Sequence, residues 1–332
     1  MTLELAIIFI LSLLFIYLLR KYAKHLELID KPNSRSIHTQ NTPRGGGIAF
    51  FFAIFLVFPF FHWEILTHYP YIILSIIIIF ISGVIDDIKE VKPLTKFLVI
   101  LISTLLLYID NISINSVGVF GGDILFLGYL SLPFTFFAVS GFTNALNLID
   151  GLDGLSTTIS LLILSTFLYI GFIYQDEFMI IVSIVVITSL LAFLLYNWYP
   201  ASIFMGDSGS LTLGFIISIL AIKSLEHLSS AVTILFLTAL PILDTMIVMI
   251  RRKLKGGSAF QADRCHLHHI ILNCFTNSTP KTVIFIFLLQ LLYIFIGLSV
   301  DSRIDGLSLL ILFILQGVGL YHLLGYLIKK QT

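Results

Sequence analysis

Long blocks of apolar residues alternate with short polar segments along the whole of this chain. A helix needs about 20 apolar residues to cross the hydrocarbon core of a bilayer, and blocks close to that length recur throughout. The fifth block is the least regular, because Gly, Ser and Phe interrupt it. We therefore expect an all-α polytopic integral membrane protein that forms a single transmembrane domain over residues 1–332. The pattern predicts eleven transmembrane helices, near residues 2–20, 46–62, 71–85, 94–110, 124–142, 157–174, 178–196, 209–223, 229–250, 281–300 and 306–328.

The composition supports this fold class. Of the 332 residues, 58% are hydrophobic and only 11% are charged, a proportion that excludes an ordinary soluble domain. Glu4 precedes the first apolar block and basic residues follow it, the reverse of a secretory signal peptide, so we expect an uncleaved first span. Two cysteines, Cys265 and Cys274, share one polar loop and predict neither a disulfide framework nor a metal-binding pair.

Basic residues lie almost entirely in the odd-numbered polar loops and the C-terminal tail. Those segments hold 17 of the 19 Lys and Arg residues, and the opposite face holds only Lys223 and Arg303. Cytoplasmic loops of membrane proteins carry the excess of Lys and Arg. The asymmetry therefore predicts an N-terminus outside and a C-terminus in the cytoplasm, and it supports the count of eleven spans.

The same face collects the unusual polar groups, in predicted cytoplasmic loops near residues 21–45, 86–96, 144–156, 197–210 and 251–280. The densest of these segments places two carboxamides and two carboxylates three residues apart, a spacing that keeps side chains near one face of a helix. These residues are Asn144, Asn147, Asp150 and Asp153. Unpaired charge at membrane depth is expensive, so the segment indicates a ligand-binding site. A polar helix end with glycine caps is the alternative.

Five aspartates on this face have the chemistry of a hard-cation site. Asp86, Asp87, Asp150, Asp153 and Asp207 offer oxygen ligands suited to Mg²⁺ or Mn²⁺. Mg²⁺ takes only one or two protein carboxylates and fills its other positions with water and substrate phosphates. We therefore expect only some of the five to bind a metal.

Cations and glycines near these aspartates suit a phosphate-bearing substrate. Lys96, Arg44 and Arg264 each lie beside another polar cluster, where they can bind phosphate as point charges or through bidentate bonds. The three glycines at 45–47 can donate backbone N–H groups to a phosphate. The alternatives are that these cations only set the membrane orientation and that the glycines form a flexible loop.

Three histidines lie within four positions in the last of these loops. His266, His268 and His269 can donate hydrogen bonds to a diphosphate at cytoplasmic pH. A zinc site is the alternative, and the carboxylates and cations nearby favour the first interpretation. Together the five loops describe a site at the membrane surface that joins a water-soluble, metal-bound phosphate substrate to a lipid.

Five sequence motifs lie in these loops. They are Pro-Arg-Gly-Gly-Gly at 43–47, the Asp86–Asp87 pair, Asn-x-x-Asn-x-x-Asp-Gly-x-Asp-Gly-Leu at 144–155, Met-Gly-Asp-x-Gly-Ser at 205–210 and Asp-Arg-x-His-x-His-His at 263–269. With them the chain, from Asp30 to about His269, resembles the polyprenyl-phosphate N-acetylhexosamine-1-phosphate transferases. These membrane enzymes start bacterial cell-envelope glycan assembly, and their layout fits the eleven predicted spans.

The resemblance implies a reaction at the bacterial inner membrane, with the active site facing the cytoplasm. The phosphate of undecaprenyl phosphate attacks the β-phosphorus of a UDP-sugar, UMP leaves, and a polyprenyl-diphosphate sugar remains in the cytoplasmic leaflet. The implied cofactor is Mg²⁺, with Mn²⁺ as a substitute. The expected partners are undecaprenyl phosphate, a UDP-N-acetylhexosamine and the lipid bilayer, and no nucleic acid is expected. A homodimer is left open.

The resemblance also implies roles around the metal and the nucleotide. Asp207 would hold the Mg²⁺, and Phe204 would stack on the uracil. The two carboxamides and two carboxylates of 144–153 would line the nucleotide pocket. The three histidines would contact the diphosphate or the sugar.

By the same pattern Asp86 and Asp87 would lie beside the attacking phosphate, where one of them would serve as base, and Lys96 would bind the lipid phosphate. A polyprenyl phosphate is already mostly ionised at neutral pH, because its second pKa is near 6. It needs positioning and charge neutralisation more than deprotonation. We therefore hypothesise that Asp86 or Asp87 matters mainly for placement and metal charge.

The histidine pattern bears on the sugar donor. Enzymes of the family that carry a muramoyl-pentapeptide typically show three adjacent histidines after a proline, whereas this chain has His-Leu-His-His after Asp-Arg. The pattern resembles the simple-sugar branch, and UDP-N-acetylglucosamine is the expected donor. N-acetylquinovosamine and N-acetylfucosamine analogues stay open. The product would begin the synthesis of an O-antigen, a teichoic acid or a similar glycan.

Two other functional classes compete with the transferase. A secondary transporter of an anionic solute would carry its charges near the midplane on broken helices, whereas these charges cluster at helix ends on one face. Asp244 is the exception, since it lies within the ninth predicted span, three residues after Pro241. We expect it to support the ninth loop. A non-catalytic lipid-binding scaffold would not need the metal-type aspartates.

Overall fold

The computed structural model describes residues 1–32, 41–254, 256, 266–301 and 303–329. They form two compact units. The first unit comprises Met1–Ile114 and Tyr129–His227, and the second comprises Asn115–Gly128 and Leu228–Thr332. Helices dominate both units, as the apolar blocks predict.

The first unit is built from helices joined by short connections. One small antiparallel ladder, β1 with β2, pairs Ile29 with Pro43 and Asp30 with Thr42. The elements of this unit are α1 (Thr2–Tyr22), β1 (Ile29–Asp30), β2 (Thr42–Pro43), α2 (Gly46–Phe61), α3 (Trp63–His68), α4 (Pro70–Ile88), α5 (Pro93–Ile109), α6 (Ser131–Ile149), α7 (Leu155–Tyr174), α8 (Glu177–Asn197) and α9 (Asp207–Ser224).

Helix α9 lies at the centre of the first unit. Helices α2, α4, α6, α7 and α8 pack around it, and its side chains are buried on every side. A helix whose residues are apolar or small all the way round is suited to such a position. The first residue of α9 is Asp207, so this packing brings the ends of several helices to that carboxylate.

Glycines let two neighbouring helices approach α9 closely. A Cβ atom on Gly47 of α2 would lie 2.1 Å from the backbone nitrogen of Gly209, and one on Gly83 of α4 would lie 2.5 Å from Cα of Ser208. Small residues permit close backbone approach between membrane helices. These two crossings fix α2 and α4 beside the first turn of α9.

The second unit contains a β-hairpin, five α-helices and one π-helical turn, Leu272–Thr276, among its described residues. Its elements are β3 (Ser116–Phe120), β4 (Asp123–Phe126), α10 (Ala231–Leu237), α11 (Ala239–Leu254), α12 (Leu267–Ile271), α13 (Thr279–Val300) and α14 (Gly306–Lys329). Helices α10 and α11 meet at a bend of 88°. Gln290 of α13 bonds to the backbone on both sides of this bend.

Eight of the described helices are long and apolar enough to cross a membrane, and the bent pair α10–α11 makes a ninth if it counts as one span. Helices α2 and α5 are apolar but shorter. The all-α polytopic fold class is therefore confirmed. The count of eleven spans and their orientation stay predictions.

The structure corrects the position of the fifth apolar block. We predicted a span at 124–142, but Asp123–Phe126 forms β4 and the helix runs over Ser131–Ile149. Gly121 and Gly122, both with positive φ, form the turn between β3 and β4, and glycine pairs favour such tight hairpin turns. The shift places Asn144 and Asn147 inside α6 rather than in a loop.

Candidate active site

Polar side chains from four helices of the first unit meet at the start of α9. They come from the end of α4, the first turn of α5, the last turn of α6 and the first residue of α9. These side chains are Asp86 and Asp87, Lys96, Asn147 and Asp207. The structure thus brings together residues from three of the five sequence motifs and Lys96, all predicted as site residues.

Asp207 is the centre of this cluster. The Asn147 side-chain amide donates to its Oδ1, and Nζ of Lys96 lies 3.1 Å from its Oδ2. The Asn147 amide also donates to the hydroxyl of Ser210 at 2.9 Å. Sequence reasoning quoted Ser210 within a motif but missed it as a site residue. Its hydroxyl helps to fix the amide that orients Asp207.

Asp86 and Asp87 have different surroundings although they are adjacent. Asp86 contacts Nζ of Lys96 through one oxygen and accepts the backbone N–H of Val91 at 2.7 Å through the other. Asp87 is 2% exposed and accepts two backbone N–H groups, those of Asp207 at 2.8 Å and Ser208 at 3.0 Å. These are among the N–H groups that a helix N-terminus leaves without intrahelical partners. Asp87 therefore holds the first turn of α9 in place.

Gly206 is required by this arrangement. Its φ is +76°, a conformation that favours glycine, and a Cβ atom there would lie 2.5 Å from an Asp87 oxygen. The glycine before Asp207 in the motif thus leaves room for the Asp87 carboxylate.

Asp150 follows the end of α6 and is partly buried. Burial raises the pKa of its carboxyl from 3.8 to about 7, and the charges of Asp207, Asp87 and Asp153 act in the same direction. A negative charge close to a carboxyl group disfavours its ionised form and so raises its pKa. The carboxyl groups of Asp150 and Asp207 therefore lie near enough for electrostatic coupling, in a position that favours a cation.

Asp153 and Asn197 hold the loop before α9. Asp153 accepts the backbone N–H of Ala201 at 2.9 Å. Buried Asn197 accepts from the hydroxyl of Thr157 at 2.8 Å and donates to the carbonyl of Ile203 at 3.0 Å. These bonds shape the segment that leads to Phe204 and Asp207. Asn197 was not predicted as a site residue, although it follows directly after an apolar block.

The glycine-rich segment at 43–47 is bonded to the loop before α9. The N–H groups of Gly46 and Gly47 donate to the carbonyls of Phe204 and Met205 at 2.9 and 2.8 Å, and the N–H of Phe204 donates to the carbonyl of Pro43 at 2.8 Å. The segment is therefore not just a flexible loop. We expected the N–H groups of this segment to donate to a phosphate. In the structure two of them donate to backbone carbonyls instead.

The other predicted site residues of the first unit make no direct bond to Asp207 among the contacts described above. Arg44 is partly buried, and its Nε has no hydrogen-bond partner among the described residues. Phe204 is partly exposed. The Asn144 amide donates within its own helix, to the carbonyl of Ser140 at 2.7 Å. Arg264 lies outside the described residues.

The three histidines belong to the second unit. His266 pairs with Asp244 of α11 at 2.9 Å. His268 is 1% exposed, and its ring nitrogens have no hydrogen-bond partner among the described residues. The rings of His266 and His268 lie 5.7 Å apart, and those of His268 and His269 lie 4.3 Å apart. The expectation that Asp244 supports the ninth loop agrees with its bond to His266.

The cluster at the start of α9 has the donor set of a hard-cation site. Asp86, Asp150 and Asp207 supply carboxylate oxygens, the ligands that Mg²⁺ prefers. The Lys96 ammonium lies between two of these carboxylates, so the position already favours positive charge. The residues present therefore fit the metal that the sequence predicts.

A second group of ligand-type side chains lies at the other end of α9. Atoms of Asp176, Glu226 and His227 lie within 4.8 Å of one another. Helix α9 has 18 residues, so about 27 Å of helix separates this group from Asp207. Lys223 already bonds both oxygens of Glu226 at 2.8 Å, and His227 pairs with Asp176 at 3.1 Å. These internal pairs account for the group without a metal.

The chain is similar to known proteins over almost its whole length. A family model described as glycosyl transferase family 4 matches residues 69–225. A Bacillus subtilis protein named "Probable undecaprenyl-phosphate N-acetylglucosaminyl 1-phosphate transferase" is 33% identical over 94% of this chain and 89% of the relative. The undecaprenyl-phosphate alpha-N-acetylglucosaminyl 1-phosphate transferases of Yersinia pestis and Escherichia coli K12 are 30% and 29% identical. They cover 99% and 98% of this chain, and 92% and 90% of the relatives.

Proposed function

Because the chain belongs to the polyprenyl-phosphate N-acetylhexosamine-1-phosphate transferase family, we propose that it transfers N-acetylglucosamine 1-phosphate from UDP-N-acetylglucosamine to undecaprenyl phosphate. An oxygen of the lipid phosphate forms a bond to the β-phosphorus of the donor. The bond from that phosphorus to the bridging oxygen breaks, and UMP leaves. The observation that carries the proposal is the meeting of Asp86, Lys96, Asn147 and Asp207 at the start of α9.

We propose that Asp207 binds Mg²⁺, with Asp86 or Asp150 as a further ligand. The bound ion would supply charge neutralisation for the diphosphate of the donor. Asn147 orients Asp207 through its amide, and Asp87 fixes the backbone of Asp207. A carboxylate held at both its side chain and its backbone is a preorganised ligand.

Neither aspartate of the adjacent pair needs to act as a base. Both oxygens of Asp87 accept backbone N–H groups, and both oxygens of Asp86 have partners in Lys96 and Val91. The lipid phosphate is mostly ionised at neutral pH. Asp86 therefore serves to position Lys96 and to provide negative charge, or a carboxylate oxygen, to the metal, and Asp87 serves to hold α9.

Lys96 would bind the phosphate of the lipid. Its ammonium is a mobile point charge on a flexible stem, and it pairs with Asp86 and Asp207 in the structure. An ammonium held between two carboxylates at the metal site can bring an anionic phosphate towards the donor. The attacking oxygen then needs only correct placement, the usual strategy in phosphoryl transfer.

The remaining predicted residues would bind the donor. Phe204 would stack on the uracil and Asn144 would line the nucleotide pocket. Asp153 shapes this pocket through Ala201. Arg44 and Arg264 would contact phosphates, and the three histidines would contact the diphosphate or the sugar.

The proposed reaction belongs to the cytoplasmic face of a bacterial inner membrane. We propose eleven spans, in which the bent pair α10–α11 counts as one and the shorter helices α2 and α5 also cross. The N-terminus then lies outside and the C-terminus in the cytoplasm, as the placement of Lys and Arg favours. The product would begin a cell-envelope glycan such as an O-antigen or a teichoic acid.

Release of UMP by the purified protein tests this function. We expect UMP from UDP-N-acetylglucosamine only when polyprenyl phosphate and Mg²⁺ are both present, and none after EDTA treatment. Asp207→Ala should abolish release, and Asp123→Ala, a change at an exposed carboxylate of the β3–β4 hairpin, should not. Turnover with a UDP-linked deoxy-sugar but not with UDP-N-acetylglucosamine would show that the donor is the deoxy-sugar. No UMP with any UDP-sugar would refute the transferase.

A further inference from the structure

Asp244 is a buried charged residue to which the proposed reaction assigns no role. It lies in α11 and is 1% exposed. Placing a carboxylate away from water is unfavourable unless hydrogen bonds compensate it. Asp244 has two such bonds: Nδ1 of His266 lies 2.9 Å from its Oδ2, and the N–H of Leu267 donates to its Oδ1 at 2.6 Å.

These two bonds determine where the shared proton lies. The Leu267 N–H can only donate, so Oδ1 must accept. A carboxylic acid is ordinarily a stronger acid than imidazolium, so the proton between Oδ2 and the ring belongs to Nδ1. With Nδ1–H pointing at Asp244, only Nε2 of His266 stays available for another partner.

The helix that carries Asp244 is held firmly in the second unit. Gln290 of α13 is fully buried and bonds to both sides of the α10–α11 bend. Its Oε1 accepts the N–H of Leu240 at 2.9 Å, and its amide donates to the carbonyls of Leu237 and Phe236 at 3.0 and 3.3 Å. Asp244 follows Leu240 by one helical turn. The backbone that carries the Asp244 carboxylate is therefore fixed in position.

His268 is a contrast within the same cluster. Burial lowers the pKa of its ring to about 3, although the charge of Asp244 acts in the opposite direction. A ring with such a pKa is neutral at cytoplasmic pH. His266 differs because the Asp244 carboxylate bonds its ring directly and fixes the orientation of the ring. Of these two histidines, His266 is the one suited to contact an anion.

We propose that Asp244 is a positioning residue: it keeps a proton on Nδ1 of His266 and directs Nε2 to the substrate, where an Nε2–H group donates to a phosphate oxygen. The assignment of a phosphate partner rests on the proposed transferase function. The position of the proton does not, so the two can be tested separately.

Nitrogen-15 NMR of the full-length protein, labelled at its histidine rings, tests the proton position without any turnover. His266→Gln identifies the His266 signals. We expect Nδ1 of His266 to carry a proton in the unmodified protein. In Asp244→Asn the amide oxygen must accept from Leu267, so the amide NH₂ faces the ring and the proton should move to Nε2. An Nδ1 without a proton in the unmodified protein would overturn the proposal, whatever the stability of the variant.

Kinetics test the consequence for substrate. Asp244→Asn should lower kcat by about 10- to 100-fold with little change in KM, the size of effect seen when a residue that orients a ligand is lost. His266→Gln should lower kcat by at least as much, and the double variant no further. Thr245→Val is the matched control, because the Thr245 hydroxyl is buried with no hydrogen-bond partner among the described residues. It should leave kcat unchanged.

The outcomes separate the two proposals. If the unmodified protein releases no UMP, the transferase fails and the NMR result still decides the role of Asp244 in fixing the ring. If UMP forms but Asp244→Asn changes neither the ring proton nor kcat, the proposal for Asp244 fails and the transferase stands.

Discussion

Asp86 and Asp87 are neighbours along α4, and their carboxylates have different partners. Asp87 accepts two backbone N–H groups of α9, whereas Asp86 accepts one backbone N–H and contacts the Lys96 ammonium. An asparagine offers one acceptor oxygen and adds two N–H donors. The same substitution therefore has different consequences at the two positions.

We expect Asp87→Asn to destabilise the protein more than Asp86→Asn. At position 87 the new amide must place N–H against a backbone N–H, which leaves a buried donor unpaired and costs about 1–3 kcal/mol. At position 86 the asparagine oxygen can still accept from Val91. Thermal unfolding of the two variants in detergent measures the difference. Equal losses would mean that Asp87 does not hold the start of α9.

The pH dependence of turnover separates positioning from base catalysis at Asp86. Because the lipid phosphate is already ionised near neutral pH, Asp86→Asn should reduce UMP release by a similar factor at about pH 7 and about pH 9. Rates of the variant and the unmodified protein at both pH values test this. Recovery of the variant at the higher pH would point instead to a base.

Asp150 should make stability depend on pH in a specific direction. Its pKa rises on folding from 3.8 to about 7, so the folded protein binds a proton more tightly than the unfolded chain between these values. Stability from this group therefore falls as pH rises through that range. Without metal, Asp150→Asn should gain stability relative to the unmodified protein from about pH 5 to about pH 8.

Melting temperatures in EDTA at these pH values measure the gap between Asp150→Asn and the unmodified protein. Asp123→Asn, at an exposed carboxylate, is the control and should show a gap that is nearly constant. If the difference in melting temperature between Asp150→Asn and the unmodified protein does not grow with pH, the pKa of Asp150 is not raised.

At the scale of elements, the site depends on how closely helices cross at α9. Gly47 and Gly83 allow α2 and α4 to contact its first turn backbone to backbone. The apolar pattern predicts these helices from local hydrophobicity, but it carries no information about which residues meet at a crossing. The bend between α10 and α11 was likewise missed, because the block at 229–250 is apolar on both sides of it.

Gly47→Ala should disrupt the protein, whereas Gly141→Ala should not. The added Cβ at 47 would lie 2.1 and 2.2 Å from backbone atoms of Gly209, which cannot rotate away, so helices must separate. At Gly141, within α6, nothing lies within 4 Å, and alanine is favoured over glycine in a helix by about 1 kcal/mol. The yield and the thermal stability of the two variants in detergent measure this difference. Similar stabilities would show that the crossing is looser.

At the scale of the whole molecule, orientation depends on whether the shorter helices α2 and α5 cross the membrane. Single cysteines at Lys24 and Glu64 flank α2, and single cysteines at Lys89 and Asp123 flank α5, in a background without Cys265 and Cys274. All four positions are exposed.

A membrane-impermeant thiol reagent should label Glu64→Cys and Asp123→Cys in intact spheroplasts. Lys24→Cys and Lys89→Cys should react only after lysis, because the proposed orientation places the basic loops in the cytoplasm. Labelling of all four variants after lysis is the control. Two flanking positions with the same accessibility in spheroplasts would show that the helix between them does not cross.

Local sequence is enough to predict the fold class and the types of side chain in the site. Apolar blocks long enough to span a bilayer are a local property, and so is the presence of carboxylates, carboxamides and cations in the segments between them. These segments alone predict Asp86, Asp87, Lys96, Asn147 and Asp207 as site residues, and the fold brings these five together.

The hydrogen-bond partners of these groups depend on contacts between residues that are distant in sequence. Asp87 and Asp207 are 120 positions apart, and the backbone N–H groups that occupy Asp87 belong to a helix whose position depends on the packing of its neighbours. Packing also determines two other sets of hydrogen bonds. The N–H groups of Gly46 and Gly47 donate to the carbonyls of Phe204 and Met205. The ring of His266 bonds to the carboxylate of Asp244. Hydrogen-bond partners that are distant in sequence are chosen by packing, because a buried donor or acceptor must bond to whatever group packing places beside it.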